Sequence, residues 1–269
     1  MAAAIDLDAY FNRIQWGGGT APSHATLAGL VHAHMAHIPF ENLDVLLGRP
    51  VRLDLPSLQN KLVQARRGGY CFEHATLLGA VLEQLGFATE RKLARVVLER
   101  PLEAAARTHM FLSVSLADGR YVVDPGFGAL APQTPLALLD VAPTLDSGAT
   151  HWMQRDRHYW KMCARPRAEV IVGWVSTLED EGPADFEMGN HHVASYPTSP
   201  FVNRIMLRAL TPTGRVTVMN RDVTIWRGGE PESQVLADRQ ALRALLAQYF
   251  GFDLPEVAQR RVPDIAQWG

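Results

Sequence analysis

Only two cysteines occur in 269 residues, too few for a disulfide framework, and Cys71 and Cys163 lie in unlike surroundings. That scarcity points to a reducing, cytoplasmic setting. No apolar run approaches the roughly 18–20 residues of a membrane span. The opening MAAAIDLDAY has neither the basic nor the apolar segment of a secretory signal. A net charge of −2 with no concentrated basic stretch argues against a nucleic-acid partner. Internal repeats and low-complexity tracts are absent. So is H-E-x-x-H: His32, His34 and His37 are spaced i, i+2 and i+5, which scatters them around a helix, and no metal is expected. Gly17-Gly18-Gly19 has no strand before it and no lysine after it, which excludes a phosphate loop or dinucleotide fold.

What is present is an ordinary globular composition, 47% hydrophobic and 20% charged. To about Phe87 the period is helical. Asp6 caps a segment to Ile14, and Ser23 caps a second with Leu27, Leu30, Val31, His34 and Met35 at helical spacing. Leu55-Pro56-Ser57 opens a third. A fourth begins near Cys71 with Leu77, Leu78, Val81, Leu82 and Leu85, stopped by Gly86. From Ala88 the period becomes two: ATERKLARVVL, HMFLSVSL, RYVVD, HYWKMCA and EVIVGWVS read as strands, with Asp118-Gly119 as a hairpin turn. Leu130 to Thr150 reads as irregular cover, and His191-His192 as part of a strand. NRIMLRAL and RVTVMNRDVTIWR form a further strand group, and Asp238 caps a last helix to Phe250. The order is α+β: a helical part, a β middle and a mixed C-terminal part.

The chemistry gathers in Arg67-Gly68-Gly69-Tyr70-Cys71-Phe72-Glu73. Two glycines turn the backbone tightly into a helix whose first turn holds Cys71. Free N–H groups and the positive dipole end favour a thiolate and can receive an oxyanion. Taken alone, such a cysteine is more often a small buried residue at a helix start. Cys163, inside KMCAR, reads as core. His109 opens one strand and Asp124 closes the next, on one face of a hairpin. In a thiol enzyme the histidine takes the thiol proton and the aspartate fixes its tautomer. A two-residue turn at Asp118-Gly119 offsets the pair by four residues, so their contact calls for a wider loop or a bulge near 115–120.

With RGGYCFE (67–73), the chain resembles the arylamine N-acetyltransferase family. Tyr10-Phe11-Asn12-Arg13-Ile14, His34 with Ile38-Pro39-Phe40-Glu41-Asn42-Leu43, Val123-Asp124-Pro125-Gly126-Phe127-Gly128 and Ser195 to Phe201 (SYPTSPF) are similar to its other motifs in order. The resemblance implies a helical domain over 1–87, a β-barrel-like domain over 88–187 and a small α/β lid over 188–269, around a cysteine-protease-like (transglutaminase-like) core. It implies a ping-pong reaction through a Cys71-His109-Asp124 triad. Acetyl-CoA acylates Cys71, and an arylamine, hydrazine or arylhydroxylamine takes the acetyl group. Acetyl-CoA is then a co-substrate, with no permanently bound cofactor. The resemblance places Thr108, Gly126, Phe127 and Gly128 at the CoA and Phe40, Phe127 and Phe201 around the acceptor. It makes Arg67 and Glu41 an ion pair propping the cysteine turn.

Three departures from the family pattern stand out. His74 follows CFE where the family usually carries an amide, adding a titratable group expected at the pocket rim. Pro125 replaces a common valine. Asn190-His191-His192-Val193 replaces a more aromatic run. Two other chemistries suit the same triad: a macrolactam-forming amide synthase, and a thiol hydrolase or transglutaminase-like enzyme.

Overall fold

The computed structural model describes residues 4–139, 150–166, 169–259 and 268. The first helices form where their caps predict. The Asp6 carboxylate accepts from Ala9 N–H at the head of α1 (Leu7–Ile14), and the Ser23 hydroxyl accepts from Thr26 N–H at the head of α2 (His24–His37). A short strand β1 (Phe40–Glu41) and helix α3 (Leu43–Leu46) follow, then α4 (Leu55–Leu58), which runs into a wider π-type turn over Gln59–Gln64. Helix α5 (Cys71–Gln84) is apolar on nearly every side. Phe72, Ala75, Leu77, Leu78, Val81 and Leu82 are all fully buried, as a helix at the centre of a core must be. Tyr10, Ile14, Leu27, Leu30 and Val31 close around it.

Helix α5 packs on an antiparallel sheet through β2 (Ala88–Val96) and β3 (Arg107–Leu116). The other strands are β4 (Gly119–Val123), β5 (Leu136–Ala137), β6 (His151–Asp156), β7 (Tyr159–Ala164) and β8 (Ile171–Ser176). Their order is β5-β4-β3-β2-β8-β7-β6, and the end strands β5 and β6 approach each other, curling the sheet towards a barrel. Phe111, Val122, Met153, Met162 and Trp174 fill its interior. The stretch read as irregular cover holds β5; its residues 140–149 lie outside the described residues.

Helix α6 (Pro183–Ser195) corrects the strand expected at His191-His192. Its start carries proline in the first turn, and the Asp185 carboxylate accepts from Gly182 N–H at 2.8 Å. After the short α7 (Pro200–Asn203), four strands follow: β9 (Met206–Thr211), β10 (Gly214–Met219), β11 (Asp222–Arg227) and β12 (Glu230–Val235). They form a second antiparallel sheet whose far edge is β1, joined to β9 with Phe40 opposite Arg208. One face of this sheet packs on α8 (Arg239–Leu245), which the Asp238 carboxylate caps through Ala241 N–H, and on the π-type turn Leu246–Phe250 beyond it. Among the described residues no helix is long and apolar enough to cross a membrane.

Candidate active site

Cys71 is the first residue of α5, buried at 2% exposure, behind an extended Tyr70. The turn before it lies against β1 in parallel pairing. Gly69 N–H donates to Pro39 O at 3.2 Å, and Glu41 N–H donates to Gly69 O at 2.8 Å. A Cβ at Gly68 would stand 2.0 Å from Pro39 O, and one at Gly69 2.7 Å from a Glu73 carboxylate oxygen, so both positions require glycine. Glu73 closes the helix start by accepting from Tyr70 N–H at 3.0 Å.

Beneath the turn lies a buried network of charge. Glu41 Oε1 receives Arg67 Nε at 2.9 Å and Nη2 at 2.6 Å, while its Oε2 receives Leu43 N–H at 2.7 Å. Arg67 Nη2 also reaches Asp44 at 3.1 Å, and Lys61 bridges Asp44 and Glu73, each at 2.7 Å. Burial opposes the Lys61 charge, yet the Glu73, Glu41 and Asp44 carboxylates hold that ammonium protonated well beyond the usual lysine range. The expected Arg67–Glu41 pair is therefore one edge of a five-residue network. Asp44 and Lys61 are surface-type residues whose spacing gives no local signal of burial, and Glu73 shows none beyond its place in RGGYCFE.

His109 and Asp124 meet without a bulge between their strands. Leu116 pairs with Gly119 and Leu112 with Val123, so the turn residues are Ala117-Asp118, one earlier than expected. Moving the turn by one residue halves the offset from four to two, a diagonal that long side chains span. His109 Nε2 lies 2.9 Å from Asp124 Oδ2, with both side chains buried. The irregularity lies on the other edge of β3. His109 pairs with Ala94 but Arg107 with Arg95, leaving Thr108 as the extra residue. The Thr108 carbonyl turned out by this bulge stands 4.0 Å from Cys71 Sγ.

The same Asp124 oxygen accepts Trp174 Nε1–H at 2.8 Å, a contact absent from the sequence reading, since a strand tryptophan reads as core. Trp174 stacks on Phe111 at 4.4 Å between centroids, and the Phe127 ring leans on the imidazole at 4.8 Å. Burial disfavours an imidazolium here. The Asp124 charge and hydrogen bond, aided by those of Cys71, outweigh it and raise His109 to about 10. With Nε2 on Asp124, Nδ1 is the nitrogen left for sulfur. Gly126 lies directly against the nucleophile: a Cβ there would be 2.5 Å from Cys71 Cα and 3.0 Å from its Cβ. Gly128, at φ +55°, brings the turn over the Phe40 ring. Phe40 and Phe201 meet edge-on at 6.3 Å, and Tyr70 packs on Phe201 at 5.4 Å while its hydroxyl donates to Asn190. Phe40, Phe127, Phe201, Thr108 and the Gly126–Gly128 turn thus gather around Cys71 and His109.

His74 is not at a rim but buried at 1% exposure, in a chain of hydrogen bonds. Its Nε2 faces Pro39 O at 3.2 Å, an acceptor only, so that nitrogen carries the proton. His74 Nδ1 then accepts from His34 Nε2 at 2.8 Å, and His34 Nδ1 accepts from the Tyr10 hydroxyl at 2.8 Å. Burial pushes both imidazoles down, His74 to about 4, so both are neutral. Among the described residues no group of three or more His, Cys, Asp or Glu side chains is placed to hold a metal ion.

Comparison with known proteins identifies the family. The model of a family described as N-acetyltransferase matches residues 23–259. The arylamine N-acetyltransferase of Mycolicibacterium smegmatis is 38% identical, covering 96% of each chain. The Salmonella typhimurium arylamine N-acetyltransferase / N-hydroxyarylamine O-acetyltransferase is 35% identical, over 93% of this chain and 90% of that one. The Mycobacterium marinum arylamine N-acetyltransferase in complex with CoA superposes with a TM-score of 0.86 at 35% identity, over 94% of this chain and 95% of that one. Matched over nearly its full length in sequence and in fold, the chain belongs to the arylamine N-acetyltransferase family and is an acetyltransferase.

Proposed function

We propose that Cys71, His109 and Asp124 carry an acetyl group from acetyl-CoA to the nitrogen of an arylamine, hydrazine or arylhydroxylamine in two half-reactions. The observation that carries the reading is the buried His109 imidazole hydrogen-bonded to Asp124 beside a cysteine at a helix N-terminus, a pairing that favours the imidazolium. His109 holds the proton drawn from the Cys71 thiol, leaving the sulfur as nucleophile. The Cys71 thiolate attacks the acetyl carbonyl carbon, and the N–H groups opening α5 receive the oxyanion. The carbon–sulfur bond to CoA then breaks, and the His109 proton passes to the departing thiolate, which leaves as free CoA. Neutral His109 next takes the proton of the amine as its nitrogen attacks the Cys71 thioester. The acetamide departs, and the thiolate–imidazolium pair is restored.

Asp124 keeps the imidazole in one orientation through both steps, with Trp174 fixing the carboxylate in turn. Thr108 and the Gly126-Phe127-Gly128 turn would hold the CoA arm, where glycine lets the backbone come close. Phe40, Phe127 and Phe201 would enclose the acceptor ring.

One equivalent of iodoacetamide near neutral pH should alkylate Cys71 and spare Cys163, which is buried in β7 with its thiol pushed up by burial. CoA thiol release from acetyl-CoA should depend on an added arylamine such as 4-anisidine. Equal labelling of both cysteines, or turnover surviving Cys71→Ala, would overturn the mechanism. Amine-independent release would mark a hydrolase, and no release would mark another acyl donor.

A further inference from the structure

Two arginines on the active-site side of the C-terminal sheet make no hydrogen bond or ion pair with any described residue. Strand alternation sends Leu207 and Ala209 of β9, with Val216 and Val218 of β10, into the core beneath α8. Arg208 lies on the other face, opposite Phe40 of β1. Arg215 lies on that face too, opposite Leu210, which packs towards the first core. Strand β9 also lies against the Gly128–Leu130 turn. Arg208 is only 5% exposed, and its buried Nε has no hydrogen-bond partner. Arg215 Nε is likewise unpartnered, while its guanidinium rests 4.5 Å over the Trp226 ring. Neither makes an ion pair with any described residue.

Of the charged groups acting on Arg208, Arg215 repels it and Asp124 alone attracts it, yet the two make no ion pair: Asp124 Oδ2 accepts from His109 and Trp174, and its buried Oδ1 has no hydrogen-bond partner. His151, which feels both arginines, has its Nε2 on Leu130 O at 3.0 Å. A guanidinium taken out of water with no carboxylate beside it is a costly arrangement that an incoming anion relieves. A second cation diagonally across the strand pair makes a two-pronged site for a planar or tetrahedral oxyanion.

We propose that Arg208 and Arg215 form an anion-binding subsite next to Phe40 that takes a carboxylate or phosphate carried by one of the two substrates. The assignment to a substrate rests on the acetyl-transfer reading; anion binding itself does not. A carboxylate would come with an arylamine whose ring lies on Phe40, a phosphate with the acyl donor.

Binding and kinetics test these parts separately. At constant ionic strength, sodium phosphate or sodium benzoate should raise the Tm of the wild-type protein above its value in chloride. The rise should vanish in Arg208→Met and in the less buried Arg215→Met, with Arg208→Lys intermediate. A carboxylate source predicts that the ratio of kcat/KM for 4-aminobenzoate over 4-aminobenzamide falls about tenfold or more in the methionine variants, the loss of a charge-assisted hydrogen bond. A phosphate source predicts the same rise in KM for acetyl-CoA, with that ratio unchanged. No anion effect on the wild-type Tm relative to chloride, or an equal effect in both methionine variants, would overturn the subsite. If Arg208 were only a distant counter-charge to Asp124, Arg208→Met would shift the His109 titration and leave the anion response intact, which also refutes the proposal.

Discussion

Replacing Gly126 by alanine tests whether the turn after Asp124 shapes the nucleophile or merely passes it. The added methyl carbon would stand 2.5 Å from Cys71 Cα, 3.0 Å from its Cβ and 3.3 Å from its nitrogen. Against an ordinary carbon contact, the closest of these is short by about 1 Å. Neither side of this contact is loose: Cys71 opens a buried helix, and the turn carrying Gly126 follows Asp124, which is tied to His109. The turn and the helix start must therefore separate. Forced overpacking of this kind costs about 1–3 kcal/mol, read as a fall in Tm of about 2–4 °C per kcal/mol in a chain of this size. A kinetic loss should accompany it, because about 1 Å of misplacement at a reacting centre costs on the order of 100-fold in rate. Single-turnover acetylation of Cys71, followed by intact-protein mass spectrometry, gives that rate. Gly17→Ala, where a Cβ meets nothing within 4 Å, is the control. Gly126→Ala acetylating at the wild-type rate with an unchanged Tm would refute the close-contact account.

Three further outcomes follow from the same geometry. His109 should remain an imidazolium across the neutral range and titrate at about 10, visible in nitrogen-15 shifts of the ring, and a midpoint near 6.5 would contradict its pairing with Asp124. His74 stays neutral in the fold down to about 4 but takes a proton near 6.5 when unfolded, so the unfolded state binds more protons between those values. His74 should therefore contribute a fall in stability of roughly 3 kcal/mol as pH drops through that window, and the slope should lessen in His74→Gln, with His34, also lowered by burial, keeping its own share; denaturant midpoints measure both. Glu41→Gln removes the carboxylate that Arg67 grips twice and should cost about 3–5 kcal/mol, whereas a loss under about 1 kcal/mol would place that pair among weak surface contacts.

How much was legible depended on how local each signal was. Asp6, Ser23 and Asp238 announced their helices because a cap is settled within three residues. The nucleophile turn was legible because its two glycines answer contacts that occur wherever that turn forms. Asp118-Gly119 misled, since Asp-Gly is a strong hairpin signal, yet Gly119, at φ +152°, instead opens β4 opposite Leu116. Helix α6 was legible only at its start, where proline and a capping aspartate stand; the adjacent histidines within it carry no helical signal of their own. Nothing local could show that His74 is buried, because that depends on α2 and β1 packing over α5 from 30 or more residues away. Arg208 and Arg215 look like the solvent side of alternating strands until β1 is seen paired to β9 and the Gly128–Leu130 turn against it.

The bulge at Thr108 has a consequence for how the chain can vary. On its C-terminal side β3 is buried on both faces, Met110, Leu112 and Val114 towards α5 and Phe111 inside the barrel, so His109 cannot slide without exchanging the side chains that fill two cores. On its N-terminal side, the chain from Val97 to Ala106 is largely exposed. One residue too many in that segment has already been absorbed as a bulge, and one fewer could be met by flattening it. The bulge is slack in the line between a surface loop free to change its length and a histidine that must not move.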